Sequence, residues 1–429
     1  MLERKRKLDC ANGREKADLV LKNGNVLNVF TEEVLKADVA ICGDTIVGVG
    51  EYEGKEEIDC TGKYLVPGFI DAHMHIESCM AAPGELAKVL AKAGTTTIIA
   101  DPHEIVNVSG TKGMDYFLKC AAKLLVNVFF MVPSAVPATD VETNGCGEFL
   151  ASDMMKYVDN ARVLGLGETM RFMECCEGEK RMADKLELFA KKHIDGHAPG
   201  IRGKEVQAYR LAGVENDHEC STAEEVLDKL RAGLHIYVRE GSGAKNLETL
   251  IKTMLDAGVC LDRCAFCTDD KHVEEIRKEG HISTCIRKAI ALGVPVAKAY
   301  KMGSYQAAEF YGLKNYGAIG AGYRADIVFL DDLEQVRPLD VMKDGRILTE
   351  EDYAKDYSVP VPDELLHTVH VGEVTKEKIR LSCDGKTDVI QMNPHQIVTT
   401  HLVEEVPTEN GYFKSDGVYN KICVVERHG

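Results

Sequence analysis

Two histidines one residue apart, His73 and His75 in the stretch GFIDAHMHIES (residues 68–78), close an apolar run. Residues i and i+2 of a strand point to the same face, so both imidazoles address one space if the strand continues through Met74. Packing gains nothing from two adjacent polar rings, whereas a divalent cation gains two nitrogen ligands. Further residues of ligand type occur downstream: Glu168 in VLGLGETM, His197 in DGHAPG, His218 in NDHEC and Asp269 in FCTDD. Each alone has an ordinary explanation, a hydrogen-bonded loop histidine or a helix-capping carboxylate, and the latter covers Asp270 as well. Their shared place, each at the C-terminal end of an apolar run, favours a metal centre. Four histidines and two carboxylates suffice for two cations sharing a bridging carboxylate and a bridging hydroxide.

The runs that must carry these residues are YLVPGFIDAH, TTTIIADPHE, VNVFFMVPS, RVLGLGE, HIDGHAP, GVENDHE, LHIYVREG and CAFCTDD. Helix-like segments separate them, among them GELAKVLAKAG, MDYFLKCAAKLL, KEVQAYRLAG, STAEEVLDKLRAG and NLETLIKTMLDAG. Several end in Gly, which tolerates the left-handed C-cap, and STAEEVL opens with a capping Ser or Thr and a first-turn Glu. Eight strand–helix units predict a (β/α)8 barrel, whose active site lies at the C-terminal strand ends. A doubly wound open sheet is the alternative. Before and after the barrel, ADLVLKNGNVLNV, ADVAICGDTIVGVG, KEEIDCTGKYLV, GAIGAGYRADIVFLDDL and VRPLDVMKDGRIL alternate apolar and polar residues around Asn-Gly and Gly-Asp turns. They predict one small β-sandwich built from both flanks. The expected division is 1–64 and 313–352 for the sandwich, 65–312 for the barrel, and 353–429 for a partial C-terminal region. The final NKICVVERHG is expected to form a strand with an abrupt stop.

A net charge of −17 argues against a nucleic-acid partner. The basic opening MLERKRKLDC has no apolar stretch after it, so neither a signal peptide nor an anchor is expected. No apolar run approaches the roughly 18 residues of a membrane span. Fifteen cysteines without an export signal predict reduced thiols in a cytoplasmic protein. Cys260, Cys264 and Cys267 have loose metal spacing, but Cys264 and Cys267 fall on opposite faces of one strand, so buried thiols are the expectation.

The motifs GFIDAHMHIES, AGTTTIIADPHEIVNV, GLGETM, DGHAPG, DHECST, VREGSGAKNL and CTDDK followed by GHI resemble the amidohydrolase superfamily and, more narrowly, its bacterial adenine deaminase family. The resemblance runs from about Ala17 to the last residue. Two departures stand out. Chains of that family continue with a further C-terminal region, and Ser283 follows GHI where the family commonly carries Asp. A direct side-chain carboxylate at Glu168, where cyclic-amide hydrolases of the superfamily use a carboxylated lysine, disfavours that alternative. A non-catalytic barrel acting as a scaffold is the remaining one, and the intact ligand set speaks against it.

The resemblance implies hydrolytic deamination of adenine to hypoxanthine and ammonia, in purine salvage or adenine catabolism, with two manganese or ferrous ions per chain. The expected partner is a small purine base, with no nucleic acid and no membrane, and the expected assembly is a homodimer. Asp269 is expected to be both ligand and proton relay, and Glu77 or Glu104 to protonate the ring. His103, Glu104, Arg239 and Glu240, at the ends of the second and seventh strands, are candidates for contacting the purine; for His103 and Glu104 the alternatives are support of the metal ligands or a further metal, and a structural loop.

Overall fold

The computed structural model describes residues 2–394, 396 and 398–427. Each of the eight apolar runs contains a parallel strand: β6 (Phe69–Met74), β7 (Thr95–Ala100), β8 (Asn127–Val132), β9 (Val163–Leu166), β10 (His193–Ile194), β11 (Asn216–Asp217), β12 (His235–Arg239) and β13 (Cys264–Cys267). The first five form one sheet in sequence order and the last three another. Such order, with helices between successive strands, makes an α/β fold of right-handed crossovers. Hydrogen bonds also cross both seams. The Glu215 amide donates to the Ile194 carbonyl (3.0 Å), and the Asp269 amide to the His73 carbonyl (3.0 Å). Because all eight strands run the same way, their C-terminal ends share one edge.

The strands are apolar throughout, since helices cover their outer faces. TTTIIA of β7 and CAFC of β13 are buried at every position. The helices start where the residues allow. Thr222 caps Ala223–Arg231, accepting from the Glu225 amide while Glu225 accepts from the amide of Thr222, the reciprocal box its spacing predicts.

The flanking segments form one eight-stranded, mostly antiparallel sheet. Strands β1 (Ala17–Asn28), β2 (Glu33–Cys42), β3 (Thr45–Gly50), β4 (Gly54–Asp59) and β5 (Tyr64–Pro67) come before the parallel strands, and β14 (Ile327–Leu330), β15 (Asp340–Lys343) and β16 (Arg346–Ile347) after. The join is β5 against β14, Val66 opposite Val328. The run YLVPGFIDAH is therefore shared. Leu65–Pro67 belongs to the antiparallel sheet although the expected boundary fell before Leu65, and only Phe69 onward joins the parallel strands. At Gly68, between them, a β-carbon would meet the Thr96 side chain, so the chain can switch sheets there only without one.

Three further features differ from expectation or extend it. A helix, Leu2–Ala11, occupies the basic opening and buries Cys10. Beyond residue 352 a hairpin, β17 (Lys386–Gln391) with β18 (Thr400–Glu405), is largely exposed. Residues 420–427 hold no strand, contrary to the reading of NKICVVERHG, whose last two residues lie outside the described ones. No disulfide joins cysteines among the described residues. Cys264 and Cys267 are buried free thiols, and Cys260 is exposed. Among the described residues, no helix is long and apolar enough to cross a membrane.

Candidate metal centre

The shared edge of the parallel strands gathers a dense, buried group of imidazoles and carboxylates. Glu168, just past β9, sits at its middle. Its Oε1 lies 2.9 Å from His75 Nε2, 3.3 Å from His73 Nε2 and 3.4 Å from His103 Nδ1. Its Oε2 lies 2.5 Å from His197 Nδ1 and 3.6 Å from His218 Nε2. Asp269 completes the first side, with Oδ1 3.0 Å from His75 Nε2 and 3.7 Å from His73 Nε2. Two sets of ligand-type atoms thus meet at one carboxylate. His73, His75, Glu168 and Asp269 have such atoms within 4.8 Å of one another, and so do Glu168, His197 and His218.

Local backbone explains why these groups converge. The Asp269 amide donates to the His73 carbonyl, and the Asp269 carbonyl accepts from the His75 amide at 3.1 Å. One residue is laced between two histidines, and it pays with a left-handed backbone, φ 56°, which Asp tolerates better than most residues. On the far side, His75 Nδ1 lies 2.7 Å from the Asp101 carbonyl oxygen. A proton donated there leaves Nε2 with its lone pair toward the cluster. The Asp101 carboxylate accepts the Glu168 amide at 2.8 Å. A β-carbon on Gly167 would collide with that same carboxylate. Asp217, at the end of the strand just before His218, is paired at 3.1 Å with Lys229 of the helix Ala223–Arg231, both fully buried.

So much charge in one dry place must be compensated. Burial disfavours ionised Glu168, but His197 and His75 outweigh it and hold its carboxyl well below the usual range. Burial likewise opposes ionised Asp269, and hydrogen bonds from His73 and His75 hold it well below as well. His75 and His218 are driven well above the ordinary imidazole value against their burial, His75 by Glu104 and Glu168, His218 by Glu168 and Glu219. The carboxylates therefore demand positive charge, which protons or cations can supply. His73 Nδ1, both His218 nitrogens and Glu168 Oε1 are buried without a hydrogen-bond partner. Unpartnered buried nitrogens and carboxylate oxygens facing one another are the donor set of a divalent-metal site, and they fit one here.

The remaining candidates divide. His103 joins the cluster itself, against Glu168, and burial notwithstanding Glu104 pushes it up to about 10. Glu104 lies 3.5 Å from His75 Nδ1. Burial and the neighbouring Glu104 push Glu77 up to about 8; its Oε1 accepts the Ile105 amide while Oε2 is buried and unpartnered. Arg239 is not free for a purine, because its guanidinium is fully buried against Asp269, Glu219 and Asn246. Glu240 is not brought to the cluster at all. Its carboxylate pairs with Lys288 at 2.5 Å, on the helix Ile282–Ala291 that follows β13. Residues 239 and 240 are adjacent, so a strand end must turn them to opposite faces. Two residues escaped the sequence reading, Asp101 and Glu219. Glu219 lies 3.4 Å from His218 Nε2 and 3.5 Å from His197 Nδ1; its place directly after His218 was the available signal. Asp270 lines the edge beside Asp269, and burial raises its carboxyl.

The sequence pattern of the amidohydrolase family matches residues 64–348, and the chain belongs to that family. An adenine deaminase of Desulfitobacterium hafniense (strain Y51) is 46% identical over 417 residues, covering 97% of this chain and 73% of its own length. That of Clostridium acetobutylicum is 43% identical over 429 residues, covering 98% of this chain and 75% of its own. These relatives place the chain in the adenine deaminase branch of the family. Among solved structures, β-aspartyl dipeptidase from Fervidobacterium islandicum AW-1 superimposes with a TM-score of 0.58 at 18% identity, covering 78% of this chain and 96% of that one. Atrazine chlorohydrolase TrzN from Arthrobacter aurescens TC1 gives 0.58 at 15% identity, with 78% and 96% covered. At such identities the likeness concerns the fold alone.

The packing of Gly167 against Asp101 generates a test. Gly167→Ala must displace either the Asp101 carboxylate or Glu168, and overpacking of this kind costs about 1–3 kcal/mol. A lower Tm is expected. An unchanged Tm would show that the strand end has room the structure does not record.

Proposed function

We propose that the protein is an adenine deaminase, converting adenine and water to hypoxanthine and ammonia. The observation that carries this reading is Glu168, whose two oxygens each face a separate ligand group, in a chain 46% identical to a protein named for that activity. In the same reading the eight parallel strands close as a (β/α)8 barrel, and the antiparallel sheet is its sandwich module, drawn from residues 1–64 and 313–352. Residues 353–429 then form a C-terminal region. A homodimer in the cytoplasm, where reduced cysteines persist, suits an enzyme of purine salvage.

His73, His75 and Asp269 would hold one cation, His197 and His218 the other, and Glu168 both. Manganese or ferrous iron suits imidazole and carboxylate ligands. Such cations supply Lewis acidity, which makes water nucleophilic at neutral pH. The rest falls to side chains. Asp269 takes the proton of the attacking water at Oδ1, the oxygen turned to the cluster, and returns it to the departing amine at C6. Glu77, at its unpartnered Oε2, or Glu104 beside His75 is the donor for a ring nitrogen. His103 and Glu104 border the base.

Beside Asp269 a cavity of about 320 Å³ is lined by Arg239, Gly241, Ala244, Asp269, Asp270 and, across from them, Met392 to Pro394 and Gln396. That lies at the small end of the range for small-molecule sites, enough for a base and tight for a nucleoside. No glycine-rich cradle and no arginine cluster marks a phosphate or ribose site among the described residues.

Two measurements test this reading. Elemental analysis of protein produced with manganese supplied should give close to two metals per chain, falling on Glu168→Ala; a value near one, unaffected by that substitution, would contradict the shared carboxylate. Ammonia release should be rapid from adenine and slower by orders of magnitude from adenosine and AMP, whose ribose hydroxyls an enclosing pocket leaves unpaired. Faster release from adenosine would defeat the free-base reading, and ring opening of dihydroorotate alone would defeat the deaminase class.

A further inference from the structure

Asp269 has its backbone fixed by His73 and His75, yet its side chain can still turn, since a carboxylate's terminal torsion is broad and two-fold. Something must decide which oxygen faces the cluster. Arg239 occupies the other one. Its Nη1 donates to Asp269 Oδ2 at 2.8 Å, while Oδ1 is left to His75 and His73. The same Nη1 contacts Glu219 Oε1.

The guanidinium is itself held. Its Nε and Nη2 both donate to Asn246 Oδ1, at 3.3 and 3.0 Å. The Asn246 amide in turn donates to the Arg239 carbonyl at 3.1 Å. Arg239 and Asn246 are both fully buried, and Asn246 begins the helix Leu247–Asp256. The clamp is thus anchored on a helix, outside the ligand set.

We propose that Arg239, oriented by Asn246, is a positioning residue for the deamination: it fixes Asp269 with Oδ1 presented to the reacting water and Oδ2 turned away. The inference rests on the deaminase reading and on Asp269 as its proton carrier. A guanidinium does not deprotonate and its fork is rigid. Its charge-assisted hydrogen bond keeps Oδ2 an acceptor, so Oδ1 is the oxygen left toward the cluster. Lysine cannot replace the arrangement, because one ammonium lacks the fork that meets Asn246 and both carboxylates together.

The test uses the 429-residue chain loaded with manganese. Asn246→Ala removes the anchor and touches neither the ligand set nor the substrate. It should lower kcat for adenine by about 10-fold, with KM within about two-fold, since small misplacements of a catalytic group carry costs of this order. Asn246→Asp, which keeps an acceptor at the same place, should recover most of the loss. Arg239→Lys should lower kcat by about 10²-fold. The double variant Asn246→Ala with Arg239→Lys should be no worse than Arg239→Lys alone, the non-additivity expected of groups acting through one another. The visible absorption of the cobalt-loaded protein should change in Asn246→Ala, because a turned carboxylate alters the ligand field. An unaltered kcat, a loss confined to KM, or additive losses in the double variant would overturn the proposal. Were the wild-type protein to release no ammonia from adenine, the deaminase reading would fall, and the cobalt spectrum would decide the clamp: a shifted band supports it and an unshifted one refutes it.

Discussion

A carboxylate buried among five imidazoles sets the terms for the rest of this molecule. Glu168 is withdrawn from water, where an isolated charge is costly, and it is tolerable only because every direction around it carries a group able to hold positive charge. Three strand ends and one helix start must arrive within a few ångströms of it to supply those groups. An arrangement of parallel strands achieves this readily, since parallel neighbours deliver their C-terminal ends to one edge. The flanking antiparallel sheet contributes no ligand. It meets the parallel strands near their beginnings, where Asn127 at the start of β8 donates to Asp326 and the Gly68 amide donates to the Asp326 carbonyl.

Much of this was legible in the residues. The alternation of apolar runs with helical segments pointed to the eight parallel strands, and the residue types at the end of each run pointed to the six ligand-type groups gathered at Glu168. That works because both features are local: a strand's burial is written in its own composition, and the residue closing it lies at a fixed offset. Non-local choices were not legible. The run YLVPGFIDAH reads as one strand, and only the pairing of β5 with β14, some 260 residues apart in sequence, splits it. Arg239 and Glu240 looked equivalent as charged residues at a strand end. The alternation of the pleat sends one toward Asp269 and the other toward Lys288. Glu219 was passed over because a carboxylate after a histidine in a loop is ordinary, and its meaning comes from Arg239 on the neighbouring strand.

The strain in the site has a definite address. Asp269 adopts φ 56° within the ladder between His73 and His75, and residues in such conformations persist only where their surroundings over-determine them. Two backbone hydrogen bonds and one guanidinium do so here. The gain is that a single residue supplies an oxygen to the cluster while its neighbour Asp270 faces the cavity, two carboxylates with separate surroundings. Burial raises the carboxyl of Asp270, whereas the histidines depress that of Asp269. Adjacent residues of the same type therefore differ in proton affinity for reasons that lie entirely in what surrounds them.

The layer behind the cluster settles which nitrogen His75 offers. Asp101 acts twice: its carbonyl takes the His75 Nδ1 proton and its carboxylate takes the Glu168 amide. One residue at the end of β7 thereby orients ligands that belong to β6, the strand beside it, and to β9, which lies beyond β8 on its other side. Because Asp101 acts partly through its main chain, substituting its side chain would disturb Glu168 while leaving His75 oriented. The two halves of the centre are thus supported separately, the His73–His75 side by backbone and the Glu168 side by a carboxylate. Gly167 is the place where that carboxylate needs room, so the smallest residue in the motif GLGETM is as tightly specified as the glutamate it precedes.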